Sequence, residues 1–500
     1  MKKLLSAFVV AASLSALAAW ERVGSLQVAD MATQGASVAK IGSFIGNPLA
    51  AAGMAAAIAD SPLLKFFGPM RDKTPMSFAL FLDGAALTKD PSDALDSLEF
   101  AVLYPVSISK DEFVKRHPGT SATNDVLVVK GDLFNEANLN KTIYVVFSED
   151  GRWAGVSDKV EQAKLALAEI PAATKSMDGD VVRLRVDETA FNVITAMAKA
   201  GKDIDAETVT ALESCKSMSV GLRVSDLGID ARAAINFKEG SESSKCGLKQ
   251  LGQNPFAFAG KDAIYADVQA EDAGSGNQLT EEGWAQAISL CKKHGLDLLK
   301  FVSMGKSEKG FKLVFDVAAL CKAAKEKDGA AFEKFDFEGF MKEAQGLKAA
   351  KKFTSKTPAY AFAGVVKGFV PQWPVAERFA ATLPEAATKK PYAASFFSIS
   401  STLKAVAGEA VAFVPEEQRV MMKPVLDQLA NETKGGCACI FWRQGDVHRI
   451  FFRVSADECR CLGSFAMAAM MFGMEGDSFS VDADDDDDGD DDDDGDDDDN

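Results

Sequence analysis

The aspartates near the C-terminus have the spacing that comes closest to a metal site. Residues 482–500 read DADDDDDGDDDDDGDDDDN, with fifteen aspartates and two glycines six residues apart. An EF-hand calcium loop needs acids at positions 1, 3 and 5, glycine at 6 and a bidentate acid at 12. A loop beginning at Asp484 places Gly489 correctly but puts Gly495 at position 12, where glycine cannot ligate. The glycine period therefore imitates a calcium loop without completing one.

The same segment has no large apolar residue to fold it, and its like charges repel one another. We expect residues 476–500 to be a disordered polyanion that keeps the protein soluble, binds divalent cations such as Ca²⁺ weakly, or meets a basic protein or cell-surface partner. No resident cofactor is predicted. The carboxylates available for weak cation binding are Asp484, Asp486, Asp488, Asp490, Asp492 and Asp494.

The eight cysteines form an even set, which in an exported protein predicts disulfides rather than thiols. We expect Cys215–Cys246 and Cys291–Cys321, with two more bridges among the last four. Zinc binding or a Cys-x-Cys redox couple are the alternatives for those four, but zinc ligands are usually spaced C-x₂₋₄-C. The eight are Cys215, Cys246, Cys291, Cys321, Cys437, Cys439, Cys459 and Cys461.

The N-terminal residues MKKLLSAFVVAASLSALAAW are typical of a cleaved, bacterial-type secretory signal. Two lysines precede a short apolar stretch, and Ala16-Leu17-Ala18 supplies the small-x-small cleavage pattern. The apolar stretch is shorter than the ~20 residues that span a membrane. We expect residues 1–18 to be removed and the mature protein to be secreted or periplasmic.

The charge balance argues against nucleic-acid binding. The net charge of −18 falls to −18 + 15 = −3 when the fifteen tail aspartates are set aside. A nearly neutral body has no basic face with which to neutralise phosphates. The hydrophobic fraction of 47% is ordinary for a globular protein of two or three domains.

Catalytic motifs are absent from the sequence. The three histidines, His117, His294 and His448, stand outside any metal-spacing pattern, and no H-E-x-x-H, G-x-S-x-G or Walker sequence occurs. A triad could still assemble from distant residues, so an exported hydrolase remains an alternative. Thirty-four phenylalanines against five tyrosines favour an aromatic core or an apolar groove.

A repeated unit of strand, tight turn, strand and helix would supply the scaffold. Glycine beside a polar residue marks each turn, and alternating β-branched and aromatic residues flank it. Two segments share a strand-then-helix pattern with Asp187 and Ser400 as candidate N-caps, and two extended segments follow Thr-Pro. The hairpin units are 141–170, 216–251, 298–326 and 436–470; the strand-helix segments are 180–201 and 392–411; the Thr-Pro segments are 74–84 and 357–366.

Residues 26–66 have apolar side chains at steps of three and four, which predicts helices broken at Asn47-Pro48. The stretch from Lys40 to Asp60 has no internal charge. Two helices packed closely against each other or against a sheet are the favoured interpretation, because alanine and glycine contribute little transfer free energy. Insertion into a membrane is the alternative.

Together these patterns predict an α+β protein with duplicated modules of antiparallel β-hairpins backed by helices. The leading functional hypothesis is a non-catalytic structural or binding protein, and the second is a carrier of apolar ligands or lipids. The expected segments are a signal peptide (1–18), an N-terminal helical segment (19–69), an α+β domain (70–255), a related α+β domain (256–475) and the acidic tail (476–500).

Overall fold

The structure is a computed structural model, and it describes residues 20–46, 48–83, 98–130, 142–175, 177–200, 206–241, 243–270, 281–307, 310–325, 334–349, 360–410 and 431–471. The predicted signal peptide and acidic tail lie outside the described residues.

The described part of the chain is an α+β protein built on one large, mostly antiparallel sheet. Its strands are β1 (Trp20–Val28), β2 (Met76–Asp83), β3 (Leu98–Pro105), β4 (Ser121–Thr123), β5 (Val126–Lys130), β6 (Thr142–Phe147), β7 (Trp153–Ser157), β8 (Val182–Val186), β9 (Cys215–Ser225), β10 (Gly228–Phe237), β11 (Ala263–Gln269), β12 (Val302–Ser307), β13 (Gly310–Phe315), β14 (Tyr360–Val366), β15 (Ala393–Phe397), β16 (Cys437–Gln444) and β17 (Val447–Ser455).

The helices connect these strands and pack on the faces of the sheet. They are α1 (Met31–Ile45), α2 (Pro48–Ala59), α3 (Pro62–Phe67), α4 (Lys110–Arg116), α5 (Val160–Ala166), α6 (Ile170–Ala173), α7 (Glu188–Ala200), α8 (Ala206–Ser214), α9 (Glu281–Lys293), α10 (Val317–Lys325), α11 (Phe337–Ala349), α12 (Val375–Thr382), α13 (Ala386–Lys389), α14 (Ile399–Ala410) and α15 (Ala456–Met471). Within the ranges described above, no helix is long and apolar enough to cross a membrane.

Strand pairing gives the spatial order β4-β5-β6-β7-β3-β2-β1-β8-β9-β10-β17-β16-β15-β11-β14-β13-β12. Neighbouring strands are antiparallel except β13 and β14, which are parallel. Five strands of the first half follow the order β2-β1-β8-β9-β10, and five strands of the second half follow β14-β11-β15-β16-β17. The same succession of antiparallel pairs therefore occurs twice.

Antiparallel hairpins occur at all four predicted places, as β6–β7, β9–β10, β12–β13 and β16–β17. Two turns use glycine at positive φ, Gly151 at 67° and Gly445 at 62°. Gly228 has a φ of 141°, and a Cβ there would lie 2.0 Å from the Val454 carbonyl oxygen. Only glycine fits that position, because it combines an unusual backbone angle with close approach to β17.

Two predicted elements differ in the structure. Residues 26–28 end strand β1 rather than beginning a helix, so the segment 19–69 is not helical throughout. Val23, Ser25 and Gln27 are buried in alternation, as expected of a strand whose polar side chains still pack against neighbours. The second hairpin unit is followed by the 3₁₀ turn Ser243–Lys245 instead of an α-helix, because its polar sequence lacks an apolar helical period.

The two halves meet where β10 pairs with β17, from Gly228 opposite Ser455 to Asn236 opposite Val447. Asp230 lies opposite Arg453 in this register, and both side chains are 1% exposed. The Arg453 guanidinium donates to both carboxylate oxygens, with Nη2 3.0 Å from Oδ2. Such a bidentate buried pair fixes the register of the junction as well as neutralising both charges.

Candidate functional site

The predicted disulfides are absent: none of the eight cysteines, all within the described residues, is bridged. The pairings Cys215–Cys246 and Cys291–Cys321 are therefore corrected. Cys215 Sγ instead donates to the Ala211 carbonyl oxygen at 3.4 Å, at the end of α8. An even number of cysteines does not by itself set the Cα and Cβ geometry that a disulfide requires.

Of the last four cysteines, two are half-buried and two are buried, and none is bridged. Cys437 and Cys439 lie on β16, and burial raises the pKa of each to about 12. Cys459 and Cys461 lie on α15, where burial raises the pKa to about 11. Because the thiolate is the nucleophile and the metal ligand, raised pKa values lower the reactivity of these thiols near neutral pH.

The weak cation site predicted at Asp484, Asp486, Asp488, Asp490, Asp492 and Asp494 lies outside the described residues. Within the part of the chain that the structure does describe, no group of three or more His, Cys, Asp or Glu side chains could hold a metal ion.

The three histidines lie far apart on different elements. His117 follows α4 and its Nε2 is 2.9 Å from a backbone carbonyl oxygen of α3. His294 follows α9, with Nδ1 3.2 Å from Asp336. His448 is buried on β17, and its Nδ1 lies 3.2 Å from the Tyr392 hydroxyl oxygen, within hydrogen-bond distance. Burial lowers the pKa of His448, with a smaller contribution from a nearby arginine.

A concave, mainly apolar cavity of about 720 Å³ lies in the second half of the molecule. Its floor consists of residues on β11, β13, β14 and β15, and helices α9, α10 and α14 form its sides. Cavities of roughly 300–1,000 Å³ with apolar and aromatic walls are the usual sites for small molecules. None of the three histidines lies in its wall.

Strand alternation explains how the floor is built. Successive residues of a strand point to opposite faces, so Phe362, Gly364 and Val366 of β14 line the cavity. The alternate residues Ala361, Ala363 and Val365 belong to the core on the opposite face, where α12 packs. The two alanines on the α12 side let that helix lie close, while the side chains of Phe362 and Val366 face the cavity.

Aromatic rings give the cavity its shape. Phe362 is central: Trp284 of α9 stacks on it with centroids 5.9 Å apart and planes at 10°, and Tyr265 meets it edge-on at 5.3 Å. Phe311 packs on another side of Phe362, with centroids 5.2 Å apart. Offset stacks and edge-to-face pairs of this kind hold rings in defined positions. The wall is therefore a preformed aromatic surface.

The rim exposes apolar side chains to solvent. Phe315, Leu320 and Phe397 all line the cavity and are 38%, 41% and 37% exposed. Single exposed apolar residues are common, but a group that continues into an apolar cavity marks an entrance or a binding surface. The cavity is thus open on its α10 side.

Few polar groups reach this site. The Trp284 indole N–H is buried and has no hydrogen-bond partner among the described residues, an arrangement that costs about 1–3 kcal/mol. The Tyr265 hydroxyl lies 3.4 Å from Asp267. Asp316 binds Lys367 at 2.9 Å and the Ala319 backbone N–H at 3.1 Å.

Asp316 immediately precedes helix α10, and its carboxylate caps the N-terminus of that helix. Its bond to Lys367, and next its bond to the Ala319 backbone, hold the pKa of Asp316 below its usual range. A carboxylate at a helix N-terminus is stabilised by the free backbone N–H groups and the helix dipole. The charge at this edge of the cavity is therefore already satisfied within the protein.

A second polar cluster lies beside α14 but is sealed in the core. Arg378 of α12 and Glu458 of α15 are both fully buried, with Nη2 3.6 Å from Oε1. Glu458 accepts from the Ser400 backbone N–H at 2.9 Å and the Ser400 hydroxyl at 2.8 Å. Burial raises the pKa of Glu458 and lowers that of Arg378, while their mutual attraction opposes both shifts.

This cluster corrects the predicted helix cap. Helix α14 begins at Ile399, so Ser398 and not Ser400 is its N-cap, and the Ser398 hydroxyl accepts from the Ser401 backbone N–H at 3.0 Å. Ser400 lies in the first turn and binds Glu458. Because every member is buried and hydrogen-bonded, the cluster joins α12, α14 and α15 and offers no access to a substrate.

The excess of phenylalanine predicts an apolar groove, but Trp284, Tyr265 and Phe362 were not singled out. Their meeting depends on the pairing of β11 with β14 and on the packing of α9 over them, which no local pattern reports.

Comparison with known proteins provides no family for this chain. No protein-family model, no curated protein and no solved structure matches it.

Proposed function

We propose that this protein binds an apolar small molecule in the cavity between the second-half sheet and helices α9, α10 and α14. The observation that supports this proposal is the cavity of about 720 Å³ with aromatic walls and an apolar rim. A binding or carrier role needs only such a preformed site. It needs no catalytic group, in keeping with a wall that contains no histidine or cysteine.

The test is fluorescence titration with N-phenyl-1-naphthylamine, a neutral apolar probe whose emission rises in apolar surroundings. Val317 and Val406 both line the cavity, so the double variant Val317→Phe, Val406→Phe fills part of it. We expect saturable binding to the wild-type protein and at least a tenfold loss of affinity in the double variant. Ala318→Phe is the matched control, because Ala318 lies on α10 beside Val317 but is exposed.

Circular dichroism must show the same fold in all three proteins. Equal probe affinity in the wild type and the filled variant, with the fold intact, would contradict the proposal.

We further propose that the two halves are duplicated modules. Support comes from the matching orders β2-β1-β8-β9-β10 and β14-β11-β15-β16-β17, and from the matching sequence cues. Both β2 and β14 follow Thr-Pro, and both β8 and β15 lead into helices of 12 or 13 residues. Superposition of the two five-strand sets in an experimental structure tests this: a Cα deviation beyond about 4 Å would contradict a common module.

Export and a role for the tail are proposals from the sequence alone. We propose cleavage after Ala18 and export, with residues 482–500 acting as a charged appendage that binds divalent cations weakly or meets a basic partner. Intact mass of the protein recovered from the producing cells checks the cleavage. Calorimetry with calcium chloride, on the full chain and on a chain ending at 475, checks the tail: a stoichiometric micromolar site would contradict weak binding.

A further inference from the structure

One face of the sheet carries a row of cations across the junction of the two halves. Register partners on neighbouring antiparallel strands point to the same face, and Arg185 of β8, Ser219 of β9, Ala234 of β10 and Arg449 of β17 are successive partners. Three strand spacings separate the two arginines, which is about 14 Å. The two residues between them are small, so their side chains leave space between the two guanidinium groups. We call these four residues the arginine row.

A third cation lies at the β16 end of the row. Trp442 is the register partner of Arg449 on β16, and Lys389 of α13 lies over its indole ring, with Nζ 5.8 Å from the centroid. Arg185, Arg449 and Lys389 therefore bring three positive charges to one face of the sheet.

The acids near this row are engaged with other arginines. Arg185 and Arg449 are half-buried, and neither forms an ion pair within the part of the chain that the structure describes. The Arg449 Nε atom is buried without a hydrogen-bond partner among those residues. An acid that pairs with Arg185 or Arg449 must therefore come from outside them. The pairs that the nearby acids form are Glu169 and Asp187 with Arg22, Asp180 with Arg183 and Arg232, and Asp230 and Glu385 with Arg453.

The surroundings of Arg185 favour an added negative charge. Burial lowers the pKa of Arg185, and the like charges of Arg183 and Arg22 lower it further. Glu169 and Asp187 oppose this shift, but both also bind Arg22. A carboxylate placed beside Arg185 would relieve the repulsion among the three guanidinium groups.

Packing alone does not account for these arginines. Strands β8 and β15 have five residues each and corresponding neighbours, since β8 lies between β1 and β9 and β15 lies between β11 and β16. Arg183 and Arg185 of β8 correspond to Ala394 and Phe396 of β15, which are both 1% exposed in the core beneath α12. An apolar pair therefore suits the same places where only packing is required.

The acidic segment 482–500 has the charge and the spacing to fill this row. Its runs 484–488 and 490–494 each contain five consecutive aspartates. Five extended residues place their first and last Cα atoms about 14 Å apart. This span equals the separation of Arg185 and Arg449, so one run can pair with both.

The chain is long enough to bring the segment there. Helix α15 ends at Met471 and packs against β10 and β17 on the opposite face of the sheet. Fully extended, the chain spans about 43 Å from Met471 to Asp484 and about 63 Å to Asp490. Helix α15 itself is about 24 Å long, and Gly228 at the end of the strand lies about 20 Å along β10 from Ala234. The aspartate runs can therefore pass round the end of the strands to the arginine row.

From these features we propose that the arginine row is the docking site for the protein's own acidic segment 482–500, whose aspartate runs lie across β8, β9, β10 and β17. The inference gives an identity to the basic partner proposed above for this segment. It is independent of the cavity, because none of these cations lies in the cavity wall. Ligand binding in the cavity would therefore survive its failure.

The experiment measures the binding of a fluorescein-labelled peptide of residues 482–500 by fluorescence anisotropy at low salt, where charges are least screened. It compares the wild-type chain with a tail-neutral form of the full chain, in which every aspartate of 482–499 is replaced by asparagine. We expect the tail-neutral chain to bind the peptide at least tenfold more tightly, because a tethered tail competes at high effective concentration. In the tail-neutral chain, Arg185→Gln with Arg449→Gln should weaken binding at least fivefold. Lys115→Gln with Lys130→Gln removes the same charge from exposed positions on α4 and β5 and should change binding less than twofold.

Circular dichroism must show the same fold in all variants, and if the arginine double variant does not fold, each single variant should weaken binding at least twofold. Equal peptide affinity of the wild-type and tail-neutral chains would overturn the proposal, because the tethered tail would then not occupy the site. Unchanged affinity in the arginine variants, or no binding of the peptide to the tail-neutral chain, would overturn it as well.

Discussion

The indole ring of Trp284 lies parallel to the phenyl ring of Phe362, with centroids 5.9 Å apart and planes at 10°. This contact joins helix α9 to strand β14 and sets one wall of the cavity. Trp284→Phe keeps an aromatic ring there and removes an N–H that has no partner among the described residues, so the free energy of unfolding should change by less than about 1 kcal/mol. Trp284→Ala removes the ring and should cost about 2–4 kcal/mol. Urea denaturation measures both, and equal losses would mean that the N–H is satisfied in the folded protein.

Acidification should destabilise the protein through His448. Burial lowers the pKa of this histidine in the folded state, so below the unfolded value of about 6.5 the unfolded chain binds more protons. Stability is therefore full above that value and is lost as the pH falls towards the folded pKa. His448→Gln, whose amide can either donate to or accept from the Tyr392 hydroxyl, should reduce the stability difference between pH 7.5 and pH 5.5. Urea midpoints at the two pH values test this, and an unchanged difference would assign the pH dependence to other groups.

All eight cysteines should be recovered as thiols. Alkylation of the protein unfolded without a reducing agent should add eight labels by intact mass. In the native protein Cys437, Cys439, Cys459 and Cys461 should react at least tenfold more slowly with a thiol reagent at pH 8 than a cysteine peptide does, because thiols with pKa values of about 11–12 hold little thiolate. A mass lower by two hydrogens per pair before alkylation would establish bridges instead.

The buried pair of Arg378 and Glu458 should be strongly coupled. Glu458→Gln leaves the Arg378 guanidinium buried without its counter-charge and should cost about 3–5 kcal/mol. A double-mutant cycle with Arg378→Met should give a coupling free energy above about 1 kcal/mol. The exposed pair Arg116 and Glu112 on α4 is the matched control, for which the coupling should stay below about 1 kcal/mol. Similar coupling in the two cycles would show that burial does not strengthen the pair.

Two hairpin glycines should respond differently to alanine. Gly445 has a φ of 62° and open space around it, so Gly445→Ala should cost about 1–2 kcal/mol for the left-handed backbone. Gly228→Ala adds a collision with the Val454 carbonyl and should cost more than about 3 kcal/mol. Thermal or urea unfolding separates the two, and equal costs would mean that β17 does not lie against this turn.

Local patterns predict much of the fold and little of the site. Glycine beside a polar residue, as at Asp150-Gly151 and Gly445-Asp446, marks hairpins because positive φ is a property of a few residues. The full strand at Trp20–Val28 is not predicted by alternating hydrophobicity, because Ser25 and Gln27 are polar residues that are buried. Alternation then no longer separates the inner face from the outer face.

Long-range relationships account for the rest. Asp230 meets Arg453 only because β10 pairs with β17, and Trp284 meets Phe362 only because α9 returns over the sheet. The cysteine prediction failed for a related reason. The even number of cysteines predicts disulfides, whereas the fold places Cys437 and Cys439 half-buried on a strand and Cys459 buried on a helix, with none of them bridged.

The pairing of β10 with β17 makes the two halves one continuous sheet, and this constrains the kinetics of ligand exchange. Proteins with a cleft between domains often release ligands by rotating those domains apart, but backbone hydrogen bonds along nine residue pairs prevent rotation at this junction. The floor of the cavity belongs to that sheet and the cavity is open on its α10 side, so a ligand enters and leaves past α10 and α14, which pack against each other. The residence time of a ligand should therefore follow the local stability of these two helices rather than the global stability of the protein.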